Sequence, residues 1–104
     1  MKREAGIGRN SSFGEALKTV RLARQVTQET FDTVSNRTYV SALERGLKQP
    51  TLPKVDELAR VLGVHPLTLL TLCYLKRPTA AGAQSAMQTV HTELEAIFLK
   101  IPKI

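Results

Sequence analysis

The segment from Thr27 to Gly46 is the feature that most restricts how this 104-residue chain folds. Thr27 is suited to cap a helix, and the Gln-Glu pair after it suits a first helical turn near the positive end of the dipole. A turn is predicted at residues 33–36, followed by a helix with Val40 and Leu43 facing inward. Gly46 suits the left-handed conformation that ends this helix. The segment therefore predicts two short helices joined by a tight turn.

The rest of the sequence also has helical periodicity, so we predict an all-α fold. Besides the two helices above, the predicted helices begin at Ser12, Thr51, Pro66 and Ala83 and end near Ala23, Gly63, Leu75 and Ile101. Ser12 opens a capping-box sequence, and His65 is predicted to cap the helix that Pro66 starts. That helix is apolar on nearly all sides, which predicts that it lies at the centre of the bundle.

The C-terminal helix carries an apolar stripe whose members recur at alternating steps of three and four residues, the spacing of a coiled-coil seam. The stripe consists of Met87, Val90, Leu94, Ile97 and Ile101, and Phe98 widens it. It requires a partner chain or a groove on its own bundle, and we predict a dimer interface. The predicted organisation is an N-terminal arm at 1–11, a helical domain at 12–75, a linker at 76–82 and the C-terminal helix at 83–104.

The charge balance favours polyanionic partners. The net charge is +6 and the pI about 9.9, and residues 1–50 hold nine Lys and Arg against five Asp and Glu. Nucleic acid is the first candidate partner and an anionic membrane the second. The predicted C-terminal helix has few cations and carries Glu93 and Glu95, which disfavours a membrane-surface role.

Other features of the composition predict a cytoplasmic protein that is not an enzyme. The single Cys73 cannot form an internal disulfide and is expected in the core, and no signal peptide or membrane span is evident. One Cys and two scattered His give no metal-ligand spacing, so no metal or other cofactor is predicted. His91 is expected to flank the C-terminal stripe. No nucleophile with a plausible base and no phosphate-binding glycine loop is present.

Several spaced motifs resemble the helix-turn-helix regulators of the Cro and lambda-repressor type, also called xenobiotic-response-element-like. They are Tyr-Val-Ser-Ala-Leu-Glu-Arg-Gly at 39–46, Pro-Thr-Leu at 50–52, Leu-Ala at 58–59 and Leu-Gly-Val at 62–64. The resemblance covers about residues 12–72 and implies a five-helix DNA-binding domain plus the C-terminal helix. One departure is that only three residues separate Phe31 from Ser35, about two fewer than usual, without the customary turn glycine. We therefore expect the second helix to end early or the turn to be tighter.

The resemblance also implies roles for individual residues. The residues that would read base edges are Arg37, Thr38 and Ala42, and Arg37 is the strongest candidate because its guanidinium can donate two hydrogen bonds to guanine. Those that would contact the DNA backbone are Gln28, Asn36, Tyr39, Ser41 and Lys48. Arg21 and Glu44 match a structural ion pair. Alternatives remain: Arg37 as a phosphate or solvent-exposed cation, Gln28 as a first-turn residue, and Tyr39 as a core-edge residue. Lys2, Arg3 and Arg9 of the arm would reach the backbone or minor groove, or would be solvated.

These observations predict a regulator that binds a specific sequence of double-stranded DNA. The resemblance implies a homodimer that reads an inverted-repeat operator and represses transcription. The alternative is an antitoxin-type protein that uses its C-terminal helix to bind a toxin and represses its own operon.

Overall fold

A computed structural model describes residues 13–102 of the chain, and within them the fold is all-α, as predicted. Its elements are α1 (Phe13–Ala23), a 3₁₀ helix (Gln28–Thr33), α2 (Arg37–Glu44), α3 (Leu52–Leu62), α4 (Pro66–Tyr74) and α5 (Ala80–Lys100). The predicted arm at 1–11 and the capping box that starts at Ser12 lie outside the described residues. Within residues 13–102, no helix combines the length and apolarity that a membrane span requires.

The hydrophobic core is built from α1 to α4 and the 3₁₀ helix. Its largest fully buried side chains are Leu17, Phe31, Val40, Leu43, Leu58 and Leu69. Burial of each such side chain contributes about 1.5–3 kcal/mol relative to exposure. All the core residues of the described chain lie between Phe13 and Leu75, so α5 adds nothing to this core.

Most of the predicted helix ends are confirmed. Thr51 Oγ1 accepts a hydrogen bond from the Lys54 amide at 3.2 Å, and His65 Nδ1 accepts one from the Leu67 amide at 3.0 Å. Gly46 and Gly63 have φ angles of 79° and 73°, the left-handed conformation that their positions require.

The prediction that the Thr27 side chain caps the second helix is wrong. Thr27 occupies the N-cap position, but its hydroxyl lies 3.1 Å from the Thr30 hydroxyl and makes no capping bond to the backbone. The second helix is a 3₁₀ helix, in which the Thr30 amide bonds to the Thr27 carbonyl at 3.1 Å.

The 3₁₀ conformation explains how the shortened segment still fits. A 3₁₀ helix rises about 2.0 Å per residue, against about 1.5 Å in an α-helix. The six residues from Gln28 to Thr33 therefore span about as much length as eight would in an α-helix. Phe31 anchors the segment in the core, and the Val34 and Ser35 amides both bond to its carbonyl, at 2.9 and 2.8 Å. The sequence predicted an early helix end or a tighter turn, and the structure accommodates the departure in another way, by the 3₁₀ winding of residues 28–33.

The prediction that α4 lies at the centre of the bundle is wrong. Only Leu69 of α4 is buried, whereas the side chains of Leu67 and Tyr74 are 55% and 52% exposed. Helix α4 packs against α1 and α3 on one side and leaves apolar surface on the other.

Helix α5 begins earlier than predicted and projects from the body. It starts at Ala80 instead of Ala83, because Thr79 caps it by accepting a hydrogen bond from the Gly82 amide at 3.0 Å. The linker is correspondingly shorter. No residue of α5 is buried. Helix α5 packs against α4, where the Thr71 hydroxyl lies 3.7 Å from Met87 Sδ.

Candidate nucleic-acid interface

The first turn of α2 presents polar side chains to solvent. Asn36 caps the helix, its Oδ1 accepting a hydrogen bond from the Tyr39 amide at 2.7 Å. Arg37 and Thr38 follow in the first turn, and both are exposed. The amides and dipole of a helix N-terminus favour anions. This end of α2 therefore combines a cation, a hydroxyl and a favourable backbone on an open surface.

Arg37 is paired with Glu29 of the 3₁₀ helix through Nη1 and Oε2. The two side chains are 60% and 59% exposed, so water screens the pair on both sides. Exposed ion pairs contribute at most about 1 kcal/mol. Because the pair is weak, the guanidinium can exchange this carboxylate for another anion.

The remaining predicted contact residues surround this end of α2 in different environments. Asn36 and Lys48 are exposed, and Ser41 is half-buried. Tyr39 is half-buried against the core, as its alternative interpretation predicted, and Lys54 Nζ lies 5.7 Å from its ring centroid.

The prediction that Ala42 reads bases is wrong for this structure. Its side chain is only 7% exposed and belongs to the buried set. A methyl group extends one carbon from the helix backbone, so the neighbouring side chains enclose it. The first turn instead exposes Arg37 and Thr38, of which Thr38 is the smaller.

The structure contains the predicted ion pair between Arg21 and Glu44. Arg21 Nε and Nη2 donate to the two carboxylate oxygens at 2.6 and 2.9 Å, and the side chains are 11% and 5% exposed. The hydrogen bond to Glu44 raises the pKa of Arg21, against the lowering effect of its burial. Arg21 Nη1 also donates to the Val26 carbonyl at 3.1 Å. The pair thus fixes α2 to α1 and to the loop that follows α1.

Gln28 belongs to the same hydrogen-bonded cluster. Its Nε2 donates to Glu44 Oε1 at 3.0 Å, and the residue is half-buried. In this structure the amide predicted to contact phosphate is therefore bound to Glu44. The second N–H of this amide can donate to a phosphate while the bond to Glu44 is kept.

Two residues that position α2 were not identified from the sequence. A Cβ atom on Gly14 would overlap the Leu43 carbonyl oxygen and lie 2.9 Å from that of Glu44, so α1 and α2 touch backbone to backbone there. A glycine within a helical pattern is a weak signal of such an approach. Lys54 Nζ donates to the Val34 carbonyl at 2.8 Å and contacts Glu57 at 2.8 Å, which ties α3 to the turn before α2.

Metal-ligating side chains do not cluster in the part of the chain that the structure describes. Within residues 13–102, no three His, Cys, Asp or Glu side chains are close enough together to hold an ion. Cys73 is half-buried in α4, and His91 lies 3.5 Å from Glu95 one turn along α5.

Comparisons with known proteins agree with this geometry. The helix-turn-helix family model matches residues 17–69. The control protein C.BamHI from Bacillus amyloliquefaciens is 34% identical over 61 residues, which are 56% of this chain and 75% of that protein. The crystal structure of the restriction-modification controller protein C.AhdI from Aeromonas hydrophila matches with a TM-score of 0.51 and 36% identity, over 55% of this chain and 86% of that one. The family match ends before α5 begins.

Proposed function

Because this chain belongs to the helix-turn-helix family of DNA-binding transcription regulators, we propose that it regulates transcription by binding a specific sequence of double-stranded DNA through α2. The observation that carries this proposal is the exposed first turn of α2, with Arg37 and Thr38 at its surface. The Arg21–Glu44 pair holds the other end of the same helix against α1. A fixed helix with an open, cationic first turn is suited to the major groove.

Arg37 is the residue we assign to sequence recognition. Its guanidinium donates two hydrogen bonds to O6 and N7 of a guanine, which is worth about 1–3 kcal/mol of discrimination between bases. Thr38 contacts an adjacent base edge through its hydroxyl or methyl group. The residues proposed to bind phosphates and set the register are Gln28, Asn36, Tyr39, Ser41 and Lys48.

The regulator is proposed to act as a homodimer on an inverted repeat. Two copies of α2 related by a two-fold axis enter successive major grooves about 34 Å apart. The exposed apolar face of α5 supports this assembly, because a dimer would bury it. Repression follows if the operator overlaps a promoter, since the bound dimer excludes polymerase.

The regulated genes are proposed from the two relatives. They are called a control protein and a restriction-modification controller protein. At 34% and 36% identity, they support a role for this chain in controlling a restriction-modification system. If this role is correct, a reporter gene fused to a promoter of a restriction-modification system changes its expression when the protein is present.

Base reading by Arg37 is tested by selecting bound sequences from random DNA and measuring the affinity of Arg37→Ala for operator and unrelated DNA. We expect the variant to lose about 1–3 kcal/mol of operator affinity and much less affinity for unrelated DNA. The control is Arg60→Ala, which removes the same charge from an exposed position of α3. Equal losses on both DNAs would show that Arg37 contacts only the backbone.

The antitoxin alternative stays a prediction from the sequence. It requires a second, different polypeptide on α5. Co-purification of a tagged chain with a small protein of defined stoichiometry, encoded beside it, would support that alternative.

A further inference from the structure

The exposed face of α5 has the layout of a coiled-coil helix. Met87 and Leu94 occupy one apolar position of the heptad, called a, and Val90 and Ile97 occupy the other, called d. Ile101, the C-cap residue just beyond the last turn of α5, is the next residue of the a series. All five are exposed in the single chain. A second helix packed along this face would remove the stripe from water.

The positions that flank this stripe carry an unequal set of side chains. Glu93 and Lys100 lie on the g side of the stripe, whereas His91 and Phe98 lie on the e side. Glu95 lies away from the stripe and is 3.5 Å from His91 of its own helix. The charges that can reach a partner helix are therefore one carboxylate and one ammonium, both on the same flank.

A parallel pair of α5 helices leaves these charges without opposite charges. In a parallel coiled coil, each g residue faces an e residue of the partner, so Glu93 faces the partner's Phe98. In that arrangement Glu93 lies beside an aromatic side chain and gains no opposite charge.

An antiparallel pair brings like flanks together, and only one register satisfies the charges. If Leu94 packs against the partner's Ile97, Glu93 faces the partner's Lys100, and the two-fold axis repeats the contact. A shift of one heptad in one direction opposes Glu93 to its own copy. A shift in the other direction opposes Lys100 to its own copy.

We propose that α5 pairs antiparallel with α5 of a second copy of this chain, with Val90 against Ile101 of the partner subunit and Leu94 against Ile97 of the partner subunit. The inference rests on the homodimer in the proposed function and specifies its orientation and register. The occupant is a second copy because Glu93 and Lys100 complement each other under two-fold symmetry, in which each residue contacts the other's counterpart. The two DNA-binding domains then lie at opposite ends of the helix pair.

Disulfide crosslinking of the full chain tests the register. In a Cys73→Ala background, Val90→Cys and Ile101→Cys proteins carrying different tags are mixed and oxidised without DNA. We expect the mixed disulfide to form readily. Each variant alone should crosslink poorly, because its cysteine lies eleven residues from its own copy, roughly 16 Å along the helix. Efficient crosslinking of Val90→Cys to itself would establish a parallel pair and overturn the inference, as would a purely monomeric chain.

Charge reversal tests the Glu93–Lys100 contact. Glu93→Lys places two like-charge contacts in the dimer and should weaken dimerisation roughly tenfold in sedimentation at low salt. The double variant Glu93→Lys with Lys100→Glu should restore it, whereas Glu95→Lys, with the same charge change off the flank, should have little effect. All these positions are exposed, so the fold of the body is not at risk. Failure of the double variant to recover would overturn the assigned register.

These experiments separate the inference from the proposed function, because neither contains DNA. A chain that pairs as expected but binds no operator refutes the regulator and leaves the pairing intact. A chain that binds an operator as a dimer with parallel crosslinks refutes only the orientation.

Discussion

The Arg37 side chain is paired with a carboxylate at the position where we propose that it meets DNA. Glu29 holds the guanidinium and lies on the same exposed surface. A carboxylate there repels phosphates, so its charge opposes DNA binding at this surface. We therefore expect Glu29 to limit DNA affinity, while the ion pair restrains Arg37 in the absence of DNA.

Replacement of Glu29 by Gln should tighten DNA binding. The variant removes the repulsion and releases Arg37, and we expect about fivefold higher affinity for both operator and unrelated DNA at low salt, with a smaller gain at high salt. Asp56→Asn, an exposed charge loss on α3, is the control for net charge. Fluorescence anisotropy gives the affinities for operator and unrelated DNA at low and at high salt. Weaker operator binding by Glu29→Gln would show instead that the ion pair positions Arg37 for base contact.

The residues around Arg37 show which features of individual side chains the sequence could predict. The exposure of Arg37 and Thr38 follows from the inward orientation of Val40 and Leu43 on the same helix. The burial of Ala42 depends on how closely neighbouring side chains surround a methyl group, which periodicity does not encode. The pairing of Arg37 with Glu29 depends on the 3₁₀ winding of residues 28–33, a tertiary outcome.

Between elements, the Arg21–Glu44 pair connects α1 to α2 through two hydrogen bonds. Loss of one partner leaves a largely buried charge without compensation, at a cost of about 3–5 kcal/mol. We expect Arg21→Met or Glu44→Leu alone to lower the free energy of unfolding by about 3 kcal/mol in urea denaturation. The double variant should be less destabilised than either single variant, since no buried charge remains. Additive losses would mean that the two side chains do not act as a pair.

The backbone contact at Gly14 is a second connection between the same helices. A methyl group there overlaps the Leu43 carbonyl oxygen, which is backbone and cannot rotate away. We expect Gly14→Ala to destabilise the domain by about 1–3 kcal/mol or more, although alanine is the better helix former. Gly82→Ala in α5 is a milder case for comparison, because a Cβ there would lie 3.1 Å from the Arg77 carbonyl oxygen and from the Thr79 hydroxyl, and we expect a smaller loss. An unchanged or raised melting temperature for Gly14→Ala would show that α1 and α2 separate easily.

The elements themselves were predictable to different extents. The amphipathic helices α1 and α3 and the caps at Thr51, His65 and Gly63 follow from periodicity and local capping chemistry, which act over a few residues. Local signals did not predict the 3₁₀ winding of residues 28–33. That winding depends on contacts with residues distant in sequence, namely the packing of Phe31 in the core and the hydrogen bond from Lys54 to the Val34 carbonyl. The apolar composition of α4 predicted burial, but composition does not identify the partner that covers a face.

At the scale of the whole molecule, the core and the helix that we propose for assembly lie in different parts of the chain. Every core residue in the described chain lies between Phe13 and Leu75, within a body that includes the exposed first turn of α2. Helix α5 has no buried residue and presents an apolar face. The body is therefore expected to fold without α5, and we propose that α5 brings two bodies together.

Truncation after Arg77 tests this division of roles. The shortened chain keeps Leu75 and the whole core, so its melting temperature should fall by only a few degrees. We expect it to sediment as a monomer. Its operator affinity should fall at least about a hundredfold, because the second half-site no longer benefits from a tethered copy. Single half-site binding should persist with the same dependence on Arg37. A truncated chain that still forms dimers would place the interface on the body, whose exposed large apolar side chains are Leu22, Leu47, Leu52, Leu67 and Tyr74.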